Sequence, residues 1–448
     1  MFSKILIANR GEIALRILRS ARELGYKTVA VYSEPDKNSL HTLFADEKIC
    51  IGPAKAADSY LNTAHIMSVS EITKADALHP GYGFLAENAR FAEICEASGI
   101  TFIGPPASLI SLMGDKNRAR QEMKKAGLPI IPGTDRIIED LSEAKIHAKK
   151  IGYPVILKSA AGGGGKGMRV ARSASQLEEQ FTIAQNEARS AFGNPSLYLE
   201  KYLPKARHIE IQVIGDNSGR VMAFGERECS VQRKYQKLIE ETPSPYIDEK
   251  LRKKMIKAVE DAGRAIGYKS LGTFEFLVDE RKKFYFMEAN TRVQVEHPIT
   301  EMAYGIDLIK EQIKIAAGEK LSFSHDLKLR GHSIECRINA EDPDTFMPSP
   351  GKIDFLVLPA GQGIRVDSAL YCGWEIPPDY DSLVAKIVAH APTREEAIKK
   401  MQTALEMTTI VGIKTNIPLL QRILSDSDFL KGNYDIHFME KFLPQEKS

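Results

Sequence analysis

The stretch Phe286-Met287-Glu288-Ala289-Asn290-Thr291-Arg292-Val293-Gln294-Val295-Glu296-His297 alternates in polarity. Its even positions are Glu288, Asn290, Arg292, Gln294 and Glu296; its odd positions are Met287, Ala289, Thr291, Val293 and Val295. Extended backbone sends alternate side chains to opposite faces, so the acids, the amides and the guanidinium share one side. Just upstream runs Leu271-Gly272-Thr273-Phe274-Glu275-Phe276-Leu277-Val278-Asp279, rich in strand formers. Polar Glu280-Arg281-Lys282-Lys283 follows, then Phe284-Tyr285. This pattern predicts a β-hairpin. With the turn centred between Arg281 and Lys282, Glu275 falls opposite Glu288. Facing carboxylates repel across a ladder, and a hard cation such as Mg²⁺ relieves that repulsion. A solvated outer face, with Lys282 or Lys283 as countercharge, is the other reading of the same pair.

The rest of the composition narrows the class. A length of 448 residues suggests two or three domains. Hydrophobic residues at 43% and charged residues at 27% are ordinary globular values. The net charge of +2 gives no reason to expect nucleic acid or an acidic membrane as partner. The five cysteines, Cys50, Cys95, Cys229, Cys336 and Cys372, are scattered and form no C-x-x-C, which argues against a disulfide framework or a zinc site. A reduced, cytoplasmic setting is expected. The opening Met1-Phe2-Ser3-Lys4-Ile5-Leu6-Ile7-Ala8 is too short an apolar run for a signal peptide, and nothing approaches a membrane span.

In chain order, residues 4–8 form a buried-type strand and residues 13–24 carry helical spacing, with Gly25 as C-cap. Strands at 28–32, 75–78 and 100–103 continue a βαβ rhythm, which predicts a doubly wound α/β domain. Asn9-Arg10-Gly11 lacks the dinucleotide fingerprint, excluding an NAD-dependent dehydrogenase. His79-Pro80-Gly81-Tyr82-Gly83-Phe84 reads as a turn-rich loop after a strand. Residues 108–126 are mostly helical, as are 140–151. Strand 153–158 ends in Lys158 and leads to Gly162-Gly163-Gly164-Gly165-Lys166-Gly167. Met168 excludes a Walker A loop; either a cover over phosphates or a flexible linker fits these glycines. Strands are expected at 197–203 and 208–213. The dense run Glu226-Arg227-Glu228-Cys229-Ser230-Val231-Gln232-Arg233-Lys234-Tyr235-Gln236-Lys237 reads in isolation as solvated. A helix at 249–266 leads into the hairpin. Beyond Gly331, short strands at 333–338, 352–358, 363–366 and 383–390 and helices at 393–405 and 417–424 suggest a smaller β-rich domain.

Taken together, these stretches resemble biotin carboxylase of the ATP-grasp superfamily. The likeness runs in order through 4–16, 79–88, 113–116, 158–167, 200–201, 207–213, 226–237, 272–277, 287–297 and 334–350. The runs from Glu288 to His297 and from Cys229 to Lys237 carry most of its specificity. The resemblance implies a Rossmann-like N-terminal domain over 1–113. It implies an ATP-grasp domain over 114–330, with a glycine-rich lid at about 131–203, and a C-terminal domain over 331–448. The implied reaction has two stages. ATP and bicarbonate give carboxyphosphate and ADP, and N1 of biotin then captures the released carbon dioxide.

The resemblance also assigns residues. Glu275, Glu288 and Asn290 match the metal ligands for Mg²⁺ or Mn²⁺. Lys116 and Lys158 match nucleotide-contacting lysines, with Gly163, Gly164 and Gly165 on the lid. Glu200, Lys201 and Leu203 match the adenine edge, His208 and Gln232 the ribose side, and Leu277 and Ile436 the purine faces. Lys237, Arg292, Gln294 and the Val295 backbone match the bicarbonate pocket. Glu296 matches the general base and Arg337 the stabiliser of the biotin enolate. Tyr235 stands where the family often has His, Lys166 replaces a common lid arginine, and Gln362 stands where a dimer-interface aromatic can occur. Arg19, Glu23 and Arg365 match residues of a homodimer. No Met-Lys-Met carrier motif occurs, so biotin is expected on a separate carrier protein, with a separate carboxyltransferase. The acceptor (acetyl-CoA, propionyl-CoA or pyruvate) would belong to that transferase. Another ATP-grasp ligase would share the paired acids but not Arg337 with the two specific runs. A non-catalytic nucleotide-binding regulatory subunit would not need Glu296, Lys237 and Arg337.

One length argument divides the opening stretch. Fully extended, residues 288–296 would span roughly 26 Å at about 3.3 Å per residue, too far for one small-anion pocket. The strand is therefore expected to end near Asn290, with a loop curling back to make a second, adjacent site.

Overall fold

The computed structural model describes residues 2–134, 136–138, 140–159, 168–324 and 327–443. Gly163, Gly164, Gly165 and Lys166, which the resemblance places on the lid, lie outside the described residues.

The N-terminal part is a parallel sheet in the order Glu47–Gly52, Lys27–Ser33, Lys4–Ile7, Ala77–His79, Thr101–Phe102. Helix Gly11–Glu23 buries Ile13, Ile17, Leu18 and Ala21, the stripe its spacing predicts. The edge strand Glu47–Gly52 was not anticipated. Most of its side chains are exposed or half-exposed, so it carries no hydrophobic alternation to read. At the switch point the Asn9 amide donates to the carbonyls of Pro80 and Tyr82, both at 2.7 Å. A Cβ at Gly81 would meet that amide at 2.8 Å, and its φ is +65°, so glycine here is more than punctuation.

The predicted helix at 108–126 is two, Ala107–Gly114 and Lys116–Lys125, and Asp115 caps the second. Strands Met168–Ala171, Val155–Ser159 and Leu197–Lys201 form a small antiparallel sheet in that order, backed by helices Leu141–Ile151 and Ala174–Phe192.

The central sheet has eight strands in the order Phe284–Asn290, Ser270–Val278, Arg207–Gly215, Val221–Arg233, Gln236–Thr242, His332–Asn339, Leu383–Ala391, Ile364–Ser368. The last three belong to the stretch expected to form a separate β-rich unit; they extend the central sheet across residue 331. Helix Glu249–Ala265 packs Met255, Val259 and Ala262 against Ile209, Ile211, Val213, Phe274 and Phe276. By the period of two, His208, Glu210, Gln212, Thr273, Glu275 and Leu277 point to the opposite face. Helix His297–Tyr304 covers part of that face, so the polar side is as buried as the apolar one.

This corrects the reading of 226–237 as solvated. Glu226 and Arg227 are 0% exposed and Glu228 1%. Only the tip Lys234-Tyr235 is a turn, with positive φ at both residues, as a two-residue hairpin requires. The predicted hairpin forms, but not with the predicted turn. Val278 pairs with Phe284, centring the turn on Arg281, and a register shift at Met287 brings Glu288 back opposite Glu275. The strand ends at Asn290 and residues 291–296 form a loop.

Candidate active site

A cleft of about 1680 Å³ opens between the small three-stranded sheet, the polar face of the central sheet and the N-terminal loops. Lys116, Lys158, Glu200, Lys201, Leu203, His208, Gln232, Leu277 and Ile436 all line it. So do Lys237, Glu275, Glu288, Asn290, Arg292, Gln294, Val295 and Arg337. The separately read signals therefore converge on one space.

At its floor the charges are tightly paired. Lys237 Nζ donates to Glu296 at 2.5 Å and to Glu210 at 2.7 Å, and lies 3.2 Å from Glu275. Burial works to lower the lysine's proton affinity, but the three carboxylates outweigh it and hold Lys237 well above its ordinary value. Arg337 donates from Nη2 to Glu296 at 2.9 Å and from Nε to Glu240 at 2.6 Å. Burial pushes Glu296 up, yet Lys237, Arg337 and Arg227 hold it well below the usual carboxylate range. Glu296 is 0% exposed and stands behind its two cations, off the cleft wall. Glu240 and Glu335 face each other across the ladder. Burial takes Glu240 to about 7 and Glu335 well above its ordinary value.

Loop 291–296 is braced by its own arginine. Arg292 donates to Gln294 Oε1 at 2.7 Å, Asn290 Oδ1 at 2.9 Å and Glu87 Oε2 at 2.7 Å. Glu87 also accepts from the Thr291 N–H at 3.0 Å. The sequence reading singled out neither Glu87, a lone acid at the end of a turn-rich loop, nor Glu210 and Arg227. Arg227 is fully buried, pairs with Glu210 and donates to Gln212 at 2.6 Å and Thr300 at 3.0 Å. Charges this deep survive only when paired, and the alternation of Glu210 with Ile209 and Ile211 was their one sequence signal.

The hairpin acids suit a hard cation. Glu275 and Glu288 are cross-strand partners, with Asn290 two residues on, an all-oxygen donor set of the kind Mg²⁺ takes. Glu275 accepts from Asn290 at 2.9 Å, Gln294 at 3.0 Å and His208 at 2.9 Å. Burial raises it, but Lys237 and His208 hold it far below the ordinary carboxylate range. Its charged form is thereby favoured, as an oxygen ligand for a hard cation requires. Glu288 is 40% exposed, 3.6 Å from Lys116. Two other acid clusters, His208–Glu210–Glu275 and Glu210–Cys229–Glu296, have metal-like spacing. Lys237 already fills both with an ammonium.

Among the residues matched to the nucleotide, Glu200 accepts from Lys158 at 2.5 Å and from Arg120. Lys201 turns its ammonium to the carbonyls of Gly152 and Tyr153, at 2.9 and 2.8 Å. His208, matched to the ribose side, spends its imidazole on Glu275 of the hairpin. Of the residues matched to a dimer face, Arg19 is exposed, Glu23 pairs with Lys310, and Arg365 binds Glu301 at 2.6 Å and Asp367 at 2.7 Å within the chain.

Comparison with known proteins agrees over the full length. Three family profiles match: biotin carboxylase, N-terminal domain, at residues 1–110; carbamoyl-phosphate synthase L chain, ATP binding domain, at 115–324; and biotin carboxylase C-terminal domain at 335–441. The biotin carboxylase of Haemophilus influenzae is 55% identical over 445 residues, covering 99% of both chains. A pyruvate carboxylase subunit from Methanothermobacter thermautotrophicus is 52% identical, covering 99% of this chain and 90% of that one. The biotin carboxylase β-γ-ATP complex from Campylobacter jejuni superposes with a TM-score of 0.93 at 50% identity, over 98% of this chain and 99% of that one. The biotin carboxylase domain dimer of Hydrogenobacter thermophilus 2-oxoglutarate carboxylase, with MgADP and bicarbonate, gives 0.91 at 50% identity over 98% of each. With the fold, the paired hairpin acids on the cleft and Glu296 bound behind Lys237 and Arg337 on its wall, the chain belongs to the biotin carboxylase family of ATP-grasp enzymes.

Proposed function

We propose that this enzyme carboxylates biotin at the expense of ATP, with bicarbonate as the carbon source, through carboxyphosphate. The observation that carries the reading is the convergence of Lys237 and Arg337 on the two oxygens of Glu296, beside the loop that holds Arg292 and Gln294. A small anion entering there meets two cations and a base within one hydrogen-bonded cluster.

Phosphoryl transfer needs charge neutralisation and in-line positioning more than covalent help from the protein. Lys116 and Lys158 take the phosphates, Lys158 by exchanging its bond to Glu200. Leu277 and Ile436 pack on the purine, with Leu203 and the backbone at Glu200 and Lys201 along its edge; Gln232 and His208 stand near the sugar. Glu275, Glu288 and Asn290 would hold the magnesium ion, whose charge offsets that of the phosphates.

Bicarbonate binds Lys237, Arg292, Gln294 and the Val295 backbone. As it takes a share of the Lys237 hydrogen bonds, Glu296 loses part of the field that keeps its proton affinity low, and it removes the bicarbonate proton. The bicarbonate oxygen then attacks the terminal phosphorus and ADP leaves. In the second stage Arg337 stands beside the ureido oxygen of biotin and stabilises the enolate, a fixed cation where negative charge develops.

The biotin arrives on a separate carrier protein, and a separate carboxyltransferase passes the carboxyl group on. Relatives named for pyruvate and for 2-oxoglutarate carboxylation support acceptor choice lying outside this chain. A homodimer is the proposed assembly, supported by the dimeric Hydrogenobacter domain, with Arg19 and Glu23 on the contact face. Among the described residues no helix is long and apolar enough to cross a membrane. The deciding experiment measures ADP formation from Mg-ATP with bicarbonate and free biotin each omitted. ADP formation should depend on both; independence from either would overturn the reading.

A further inference from the structure

Strand Leu383–Ala391 is apolar apart from the half-buried His390 near its end and one buried charge, Lys386. Lys386 is 0% exposed. A lysine is almost never fully buried unless paired, so its partners say what it is for. Asp367 relies on it less: that carboxylate is held by Arg365 at 2.7 and 3.0 Å and lies 3.9 Å from the ammonium, which adds a smaller share of the field. The close partners are the Val295 carbonyl, which accepts from Nζ at 2.9 Å, and Glu12 Oε1 at 3.1 Å. Glu12 opens helix Gly11–Glu23 and also accepts the hydroxyl of Tyr82. One ammonium thus joins an N-terminal helix, the Tyr82 loop, a C-terminal strand and loop 291–296.

We infer that Lys386 is a positioning residue for the bicarbonate site: it locks the peptide plane between Val295 and Glu296 and so aims the base. The inference rests on the function proposed above. The Val295 carbonyl and the Glu296 N–H share one rigid plane, and the Glu296 Cα begins helix His297–Tyr304. Fixing that carbonyl fixes the rotation of the plane and the direction in which the Glu296 side chain leaves the backbone. The same lysine is the ladder partner of Arg337, which itself donates to Glu296, so the strand that braces the loop lies beside the strand that binds the base. For packing alone, an apolar residue with Gln at position 12 would serve. The ammonium also opposes the rise of Glu335 and helps to lower Asp367, but its one hydrogen bond to a backbone carbonyl goes to the loop.

The test is initial-rate kinetics on the full chain. Lys386→Met should raise the KM for bicarbonate by about 10- to 100-fold, the range of one hydrogen bond to a charged group, while the KM for ATP stays within about twofold. Because Lys386→Met strands the Glu12 carboxylate, Lys386→Met/Glu12→Gln is the second variant. It restores charge balance, lets position 12 still accept from Tyr82, and should melt near the parent while keeping the bicarbonate defect. An unchanged bicarbonate KM in the folded double variant overturns the inference, as does a double variant that cannot fold, which would assign the lysine to structure alone. If the parent itself shows no bicarbonate-dependent ADP formation, the proposed function fails instead, and the two failures are told apart.

Discussion

Glu296 is the residue at which the site is most finely balanced. Its two oxygens are each bound to a cation, and its proton affinity is far below that of an ordinary glutamate. Held this way its charged form is favoured, and under the proposed function an incoming anion that draws the cations away would tie proton removal to substrate arrival. Replacing it with Gln keeps the shape and removes the charge. Glu296→Gln is expected to lower kcat by at least about 100-fold, the scale of a lost general base, while calorimetry shows ATP binding unchanged; a variant that no longer binds ATP would make the residue structural. Glu288 tests the other end of the row. It is the exposed half of the facing pair, so its loss should spare the fold and weaken the cation site. Glu288→Gln is expected to raise the Mg²⁺ concentration for half-maximal ADP formation by about tenfold or more, about the share of one charged ligand. An unchanged magnesium titration would remove the hairpin from the metal site.

At the scale of elements, the central sheet separates packing from chemistry by alternation. Helix Glu249–Ala265 packs on the apolar side, where Met255 is 0% exposed among Phe274, Phe276 and Ile211, and reaches one buried acid there, Glu226, through Arg252. Met255→Ala should cost about 2–5 kcal/mol of stability, read as a lower melting temperature, with KM for bicarbonate unchanged below that temperature; a shifted bicarbonate KM would show that the two faces are not independent. The same alternation decided what the sequence could reveal. Helix Gly11–Glu23 and the hairpin were legible because each has one apolar face and one polar face. The end of the strand at Asn290 was legible from length, since a straight row overshoots one small pocket. Strand Glu47–Gly52 was not, because an edge strand left open to solvent needs no pattern. The 226–237 run misled for the opposite reason: both faces of that strand are covered, and its charges are matched by residues far away in sequence, Glu210 on the neighbouring strand and Arg252 on the helix. The register was reached for an incomplete reason: the turn lies half a residue from its predicted centre, and a bulge at Met287, invisible to the pattern, restores the Glu275–Glu288 pairing. The loop residues of the site were found from resemblance, while their braces Glu87 and Lys386 were not, since each is a single charge in an otherwise ordinary segment.

At the scale of the whole molecule, buried ion pairs tie distant parts of the chain to the central sheet. Arg16 on the first helix reaches Glu301 at 2.9 Å and Asp307 at 2.8 Å, which anchors the N-terminal sheet beneath helix His297–Tyr304. The C-terminal stretch is anchored by Glu241. Its carboxylate accepts from His332 at 2.6 Å, from Arg394 at 2.7 and 3.0 Å and from the Tyr434 hydroxyl. Burial raises the proton affinity of Glu241, but His332 and Arg394 prevail and bring it from 4.5 down to about 2. A carboxylate whose folded value is depressed stabilises the fold above its unfolded value, and the contribution is lost as pH falls toward the folded value. The drop from 4.5 to about 2 corresponds to on the order of 3 kcal/mol at neutral pH for this fully buried group. Glu241→Gln, which keeps the shape and cannot ionise, should therefore melt well below the parent at neutral pH, and the gap should narrow as pH falls below 4.5 toward about 2. Melting curves of the two proteins across that window read the effect directly. A gap that stays constant would mean that Glu241 anchors the C-terminal stretch by shape and hydrogen bonding, not by charge. A gap that widens would reverse the sign of the linkage and place the stabilising charge on another acid.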